Sequence, residues 1–360
     1  MEKSLMWSDT YQNAELNLDI ELTTNCNARC PQCSRTDELN VNKRKDWLPL
    51  QQVSIEVFKK WFPITNSIKN FHFSGKFGDP GMCKDLKEIV EYIINSNDTS
   101  TISINTNGSM RDEDFWFSLG LLGKERIHII FDVDGIDQKM HEFYRRGTNL
   151  KKVLSNLEAT CQTLAKVSVL TVMFKHNENY IEDIQNMCRK LGVKNFDTVE
   201  GNAFWDGPNY DFIDEDGNKQ VLEQITRKDR EQGLERSDRR VRDHRHWHKP
   251  YKEIVCLAAK DKNLQVTSKG LVMPCCHLST LEKSIFYKRG LQHDEYISTN
   301  GNDDINPTMK DFIDNDKDFN LNYNTIDSIV NNVWYKEKLQ KSWQSETSAS
   351  FACKNVCGVC

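Results

Sequence analysis

No apolar run in the chain approaches the roughly 20 residues that a membrane-spanning helix needs. The N-terminal MEKSLMWSDTYQ lacks the apolar core of a secretory signal, so a cytoplasmic protein with no membrane segment is expected. The sequence has no internal repeat and no low-complexity tract. Charge of one sign is also scarce. The net charge is -5 and the one basic stretch is short, which argues against a nucleic-acid surface. With 38% hydrophobic and 28% charged residues, the composition excludes a disordered chain. A length of 360 residues suits about two domains, or one barrel with an appendage.

Cysteine is abundant, at twelve residues. Without a secretory signal, clustered cysteines point to metal or redox chemistry before disulfides. Nine of them fall in three groups: Cys26, Cys30 and Cys33; Cys256, Cys275 and Cys276; Cys353, Cys357 and Cys360. Cys83, Cys161 and Cys188 are scattered, and the last two read as ordinary buried thiols.

From Leu16 to about Gly201, strand patterns alternate with helix patterns. Leu16, Leu18, Ile20 and Leu22 alternate with Asn17, Asp19 and Glu21, a period of two. Further strands are expected at Phe71–Gly75, Ile102–Gly108, Ile127–Gly135, Val167–Lys175 and Asn195–Glu200. Helical spacing separates them over Ser54–Phe62, Asp85–Ile94, Glu113–Leu119, Leu150–Ala165 and Ile181–Leu191. Such alternation argues for a parallel sheet. Several strands are half polar: His72 and Ser74 share a face, as do Ser103, Asn105 and Asn107, and His128, Asp132 and Asp134. A doubly wound sheet reads as continuously apolar. The expected fold is therefore α/β, a partial (β/α)6 TIM-type barrel with its polar face toward a lumen; a sheet with one solvated face is the alternative. Residues 1–212 form the barrel, 213–252 a charged linker and 253–360 a small α+β domain. The linker, with His244, His246, Trp247 and His248, reads as a solvated segment, and alternatively as a basic lid.

Cys26, Cys30 and Cys33 stand in the spacing C-x3-C-x2-C, just after the first strand. Zinc sites usually pair two C-x2-C knuckles. Three thiolates on a four-iron cluster leave one iron open to an exogenous ligand. In CNARCPQC the chain resembles the cluster motif of the radical S-adenosylmethionine (SAM) enzymes. SGKFGDP (Ser74–Pro80) resembles the Gly-Gly-Glu-Pro segment of that family, and TNG (Thr106–Gly108) the motif closing its third strand. FDVDGIDQKMHEFYRRG (Phe131–Gly147) is similar to its S-x-D-G…H-x-x-Y-R stretch, and FKHNEN (Phe174–Asn179) to a segment after the fifth strand.

The resemblance covers roughly residues 16–201 and implies a [4Fe–4S] cluster on Cys26, Cys30 and Cys33. SAM would chelate the open iron, and an external flavodoxin- or ferredoxin-type reductant would supply one electron. Cleavage would give a 5′-deoxyadenosyl radical that takes hydrogen from the substrate. The implied SAM contacts are Ser74, Gly75, Gly78, Asp79, Asn107, Asp132, Asp134 and Arg145, with Asp79 at the ammonium. Arg145 or Arg146 would meet the methionyl carboxylate. Three positions depart from the family pattern: Gln32 replaces an aromatic residue, Asp79 a glutamate and Asp132 a serine.

Cys256, Gly270 and Cys275 give C-x13-G-x4-C across an expected hairpin, LQVT and LVM around Ser268-Lys269-Gly270. This resembles the opening of SPASM and twitch extensions. It implies one auxiliary [4Fe–4S] cluster on Cys256, Cys275, Cys353 and Cys357, with Cys276 and Cys360 as further candidates. A hairpin with a distant C-x2-C is also zinc geometry. The expected function is a radical SAM enzyme of oxidoreductase type acting on a peptide or a polar small molecule. A radical nucleotide- or RNA-modifying enzyme is the alternative. A non-catalytic iron–sulfur or zinc-stapled binding protein is the third reading.

Overall fold

The computed structural model describes residues 16–37, 40–63, 68–201, 208–226, 253–278, 306–345 and 348–359. In chain order its strands are β1 (Leu16–Ile20), β2 (Thr36–Asp37), β3 (Asn40–Arg44), β4 (Ile68–Phe73), β5 (Thr101–Thr106), β6 (Ile127–Asp132) and β7 (Lys166–Met173). There follow β8 (Asn195–Glu200), β9 (Asn209–Ile213), β10 (Lys219–Glu223), β11 (Glu253–Ile254), β12 (Asn263–Val266), β13 (Val272–Met273) and β14 (Gly358–Val359). All six expected strands are present. The second begins at Ile68 and ends at Phe73, leaving Ser74 and Gly75 in the loop. A helix at Gln138–Tyr144 was not expected; Asp137 caps it by accepting from Met140 N at 2.8 Å.

The chain packs as two compact units. One comprises Glu21–Ile55 and His72–Val241, the other Met1–Ile20, Glu56–Phe71 and Arg242–Cys360. In the first, the order runs from the end of β4 through β5, β6, β7 and β8. The last four strands are parallel, with Ile104 beside Ile129, Phe131 beside Val169 and Val172 beside Val199. One sheet face is fully buried (Ile102, Ile104, Ile129, Phe131) and receives helices such as Glu113–Gly123, whose buried Trp116 packs on Phe131 with ring centres 5.3 Å apart. The other face is half-buried and polar, as expected. Across it His72 Nε2 meets Asn105 Oδ1 at 2.8 Å and His128 Nε2 meets Ser168 Oγ at 2.7 Å. This is the α/β architecture with a parallel sheet that the sequence pattern predicts.

The expected linker starts inside a hairpin. β9 and β10 pair antiparallel, bury Phe212 and Leu222, and turn at Asp214–Asn218 with Gly217 at φ +83°. Asp216-Gly217 between short apolar alternations is its sequence signal. Residues 227–252, including His244, His246, Trp247 and His248, lie outside the described residues.

In the other unit the strand order is β13-β12-β1-β4. β12 and β13 form the expected hairpin, with Gln265 opposite Met273. β12 also pairs in parallel with β1, from Asn17↔Asn263 to Ile20↔Val266. This pairing unites the N-terminal strand with the C-terminal segment, so the units do not follow the expected divisions at 212 and 252. Phe312 stacks on Phe319 with ring centres 4.2 Å apart and packs on Trp334 at 4.8 Å. Among the described residues no helix is long and apolar enough to cross a membrane.

Candidate active site

The loop that carries Cys26, Cys30 and Cys33 is tied from within. Arg35 is buried, and its guanidinium donates to the carbonyls of Cys26 and Ala28, both at 3.3 Å, and of Thr24 at 3.4 Å. Cys33 N donates to Cys30 O at 3.0 Å, and Thr36 N to Cys33 O at 2.9 Å. Asn107, at the end of β5, donates to Asn27 Oδ1 at 2.9 Å and lies 3.7 Å from Cys26 Sγ. Sequence reasoning missed Arg35; its only signal is a lone cation two residues past the third cysteine.

Burial pushes all three thiols above their ordinary value. Asp79 adds to the rise at Cys26, whereas Cys30 reaches about 12 against the pull of Arg145. Neutral thiols of this kind ionise when a metal centre supplies the positive charge. Among the described residues no three His, Cys, Asp or Glu side chains form a ready site for a single metal ion. The thiolates of a cluster sit on separate irons. Beside the loop, both polar atoms of the Gln32 amide and the Ser74 hydroxyl are buried without a hydrogen-bond partner. Buried polar groups are otherwise almost always paired, so these orphans fit a polar ligand next to the thiols.

The loop after β4 closes against the cysteine loop through backbone contacts. A Cβ on Gly78 would collide with Thr23 O and stand 2.8 Å from Asn25 O, and a Cβ on Gly75 would stand 2.5 Å from Gly78 O. Phe77 N donates to the buried Glu21 Oε1 at 2.6 Å, and Asp79 N to Asn25 O at 2.8 Å. Asp79 is buried. Its Oδ1 accepts from Gly81 N and Thr106 Oγ1, both at 2.8 Å, and its Oδ2 from Asn107 N at 2.7 Å. A carboxylate has about four lone-pair sites, so Asp79 retains one beyond its role as the tie between two strand ends.

Arg145 sits between two acids. Its Nε donates to Asp134 Oδ2 at 2.6 Å, and its Nη1 pairs with Asp132 Oδ2 at 2.9 Å. Asp134 is fully buried, and its Oδ1 accepts from Val172 N at 2.6 Å. Asp134, expected among the SAM contacts, is engaged through one oxygen by Arg145 and through the other by Val172 N, and so positions Arg145. Asp132 is half-buried, and burial pushes its carboxyl up to about 7, against Arg145 and with Asp134 and Asp79 adding to the rise. His141 Nδ1 accepts from Asp134 N at 3.1 Å, and burial lowers His141 to about 4, so its ring is neutral. Arg146 is held elsewhere: its Nε donates to Glu215 Oε2 at 2.7 Å, and its Nη2 contacts the same oxygen.

The C-terminal thiols converge in the other unit. β11 pairs with β14, and Val255 N donates to Cys357 O at 3.0 Å, so the end of the chain lies beside Cys256. Cys256, Cys275, Cys276, Cys353 and Cys357 line one cavity of about 160 Å³ with Trp343. A hydrogen bond to Cys357, followed by burial, raises Cys256; burial, Cys353 and Cys276 raise Cys275; burial and Cys357 raise Cys353 to about 11. Cys276 is exposed, and Cys360 lies outside the described residues. Cys357 is buried and Cys256, Cys275 and Cys353 are half-buried; four thiols around one cavity are a donor set that fits a metal centre.

Residues 20–188 match the model of the Radical SAM superfamily. The chain carries a radical SAM domain, whose cofactors are SAM and a [4Fe–4S] cluster. It is 27% identical over 201 residues to the molybdenum cofactor biosynthesis protein moc-5 of Caenorhabditis elegans, covering 54% of this chain and 32% of that one. It is 26% identical over 162 residues to the GTP 3′,8-cyclase of Tolumonas auensis, covering 44% and 45%. The matched stretches thus span less than half of both relatives. In fold it is similar to anSMEcpe with bound AdoMet (16% identity, TM-score 0.54, covering 95% of this chain and 87% of that one). It is also similar to Streptococcus suis SuiB bound to S-adenosylmethionine (15% identity, TM-score 0.50, covering 74% and 61%).

Proposed function

We propose that this radical SAM enzyme oxidises a polar substrate, a peptide or a small molecule, by removing two hydrogens, and that Cys256, Cys275, Cys353 and Cys357 hold a second [4Fe–4S] cluster as the electron acceptor. The convergence of these four thiols on one cavity carries the reading. Four thiolates complete a cluster's ligand set and leave no iron open to substrate, which suits electron transfer. When bound, the two clusters supply one electron to SAM and take one back, so SAM and substrate give methionine, 5′-deoxyadenosine, oxidised substrate and one proton without net reductant.

The chain's own residues bind and orient. Cys26, Cys30 and Cys33 hold the SAM-binding cluster on a loop braced by Arg35. Ser74, Gly75, Gly78 and Asp79 shape the SAM loop, and Gly78 keeps it against Asn25. The Asp132–Arg145–Asp134 group carries a net negative charge when both acids are ionised, which favours the sulfonium and ammonium of SAM. Asn107 steadies Asn27 beside Cys26. An external flavodoxin- or ferredoxin-type protein primes the enzyme.

The test is anaerobic incubation of reconstituted enzyme with SAM, dithionite and peptide or polyol panels. A product lighter by two hydrogens, formed with one 5′-deoxyadenosine, supports the reading. The names of the curated relatives favour a second reading, a nucleotide substrate. Consumption of GTP alongside 5′-deoxyadenosine formation, with no oxidation of the panels, would replace the first reading with the second.

A further inference from the structure

Cys353 has different surroundings from its three partner thiols. Cys256 has the Cys357 thiol and the Ala259 N–H as hydrogen-bond neighbours, and Cys275 the His277 N–H. Beside Cys353 stand two side chains that carry donors, Trp343 and Ser350.

Two geometric observations single out this pair. Trp343 lines the thiol cavity and packs with Cys353 and Val356 against Ile254, Ala349 and Cys357. Its indole N–H is buried and has no hydrogen-bond partner, an arrangement native proteins rarely keep without a ligand to satisfy it. Ser350 is the N-cap of the helix Phe351–Cys357, yet its hydroxyl makes no capping hydrogen bond. A serine there ordinarily accepts from the third helical N–H, a bond worth about 1 kcal/mol. Cys353 is that third residue. The buried Ser350 hydroxyl forgoes the Cys353 N–H, its ordinary partner, one turn before the thiol.

We propose that the Trp343 indole N–H and the Ser350 hydroxyl donate to the Cys353 sulfur when it becomes a cluster ligand, and so raise the reduction potential of the auxiliary cluster. Hydrogen bonds to ligand sulfur stabilise the reduced, more negative state, and outer-shell partners of this kind set potentials. A raised potential suits a centre that accepts an electron from a substrate radical. The inference rests on the proposed auxiliary cluster.

The experiment uses the full chain with Cys26, Cys30 and Cys33 all changed to Ala, reconstituted anaerobically so that one cluster remains. EPR-monitored redox titration gives its midpoint. Trp343→Phe and Ser350→Ala in this background should each shift the midpoint to more negative values, and the double variant further. Ser350→Thr, which keeps the hydroxyl, should stay near the parent. Should Trp343→Phe fail to load iron, the Ser350→Ala and Ser350→Thr comparison carries the test alone. Full iron and sulfide with an unmoved midpoint in Ser350→Ala and in any loaded Trp343→Phe would overturn the inference and leave the auxiliary cluster standing. Absence of any iron–sulfur signal in the parent would overturn the auxiliary cluster itself, and the inference with it.

Discussion

Arg145 Nε meets Asp134 Oδ2 at 2.6 Å, and Asp134 has no exposure to solvent. Breaking a buried ion pair by removing one partner's charge leaves the other uncompensated. Asp134→Asn should destabilise the protein by about 3–5 kcal/mol, measured by urea unfolding. Asp132 remains as a counter-charge, so the lower end is expected. No loss of stability would show that Asp134 does not anchor Arg145.

The two adjacent arginines should separate cleanly. Arg145 is framed by Asp132 and Asp134, whereas the Arg146 guanidinium is engaged by Glu215. Arg145→Gln leaves the half-buried Asp132 and the buried Asp134 without their cation and should lower SAM affinity at least about tenfold, the equivalent of ~1.4 kcal/mol. Arg146→Gln should leave it within about threefold, since partly exposed pairs contribute little. Equilibrium dialysis with labelled SAM distinguishes them, and the reverse order would refute the assignment.

Gly78 has backbone on the side where a Cβ would project, Thr23 O and Asn25 O. Backbone cannot rotate away as a side chain does. Gly78→Ala should therefore separate the two loops, at a cost of about 1–3 kcal/mol or more. Its readouts are a lower melting temperature and fewer irons at the N-terminal site. Gly217, whose Cβ would meet nothing within 4 Å but whose φ is +83°, is the control: Gly217→Asn should leave the iron content unchanged.

Asp132 makes stability depend on pH in cluster-free protein. Burial raises its carboxyl from an ordinary 3.8 to about 7, so between these values the native state holds a proton that the unfolded state has released. Stability is then lost as pH rises through that window. Comparing wild type with Asp132→Asn cancels the other groups. The difference between them should grow against wild type from pH 4 to 7 and level off above. A flat difference would contradict the assignment.

Much of this was legible in the residues themselves. Strand alternation and the motifs at strand ends located the three N-terminal cysteines and the Gly78 approach, whereas the pairing of Arg145 with Asp132 was not foreseen. Cys353 and Cys357 are the expected pair of further ligands and both line the cavity, while Cys360 lies outside the described residues. What stayed hidden depends on contacts between distant residues. Parallel pairing of β1 with β12 joins positions as far apart in the chain as Asn17 and Asn263, and leaves no local signature. The full burial of Asp134 is decided by β7 packing over it, not by its place in the VDG turn. Arg35, Trp343 and Ser350 act on backbone carbonyls or sulfur, and their spacing from the cysteines matches no pattern that composition reveals.

The most direct measurement is 5′-deoxyadenosine release by the anaerobically reconstituted protein with dithionite and SAM, beside the variant with Cys26, Cys30 and Cys33 changed to Ala. The account predicts 5′-deoxyadenosine and methionine in equal amounts from wild type and none from the variant. Equal release from both, or a wild-type N-terminal motif that assembles no cluster under conditions that load the C-terminal thiols, would contradict it.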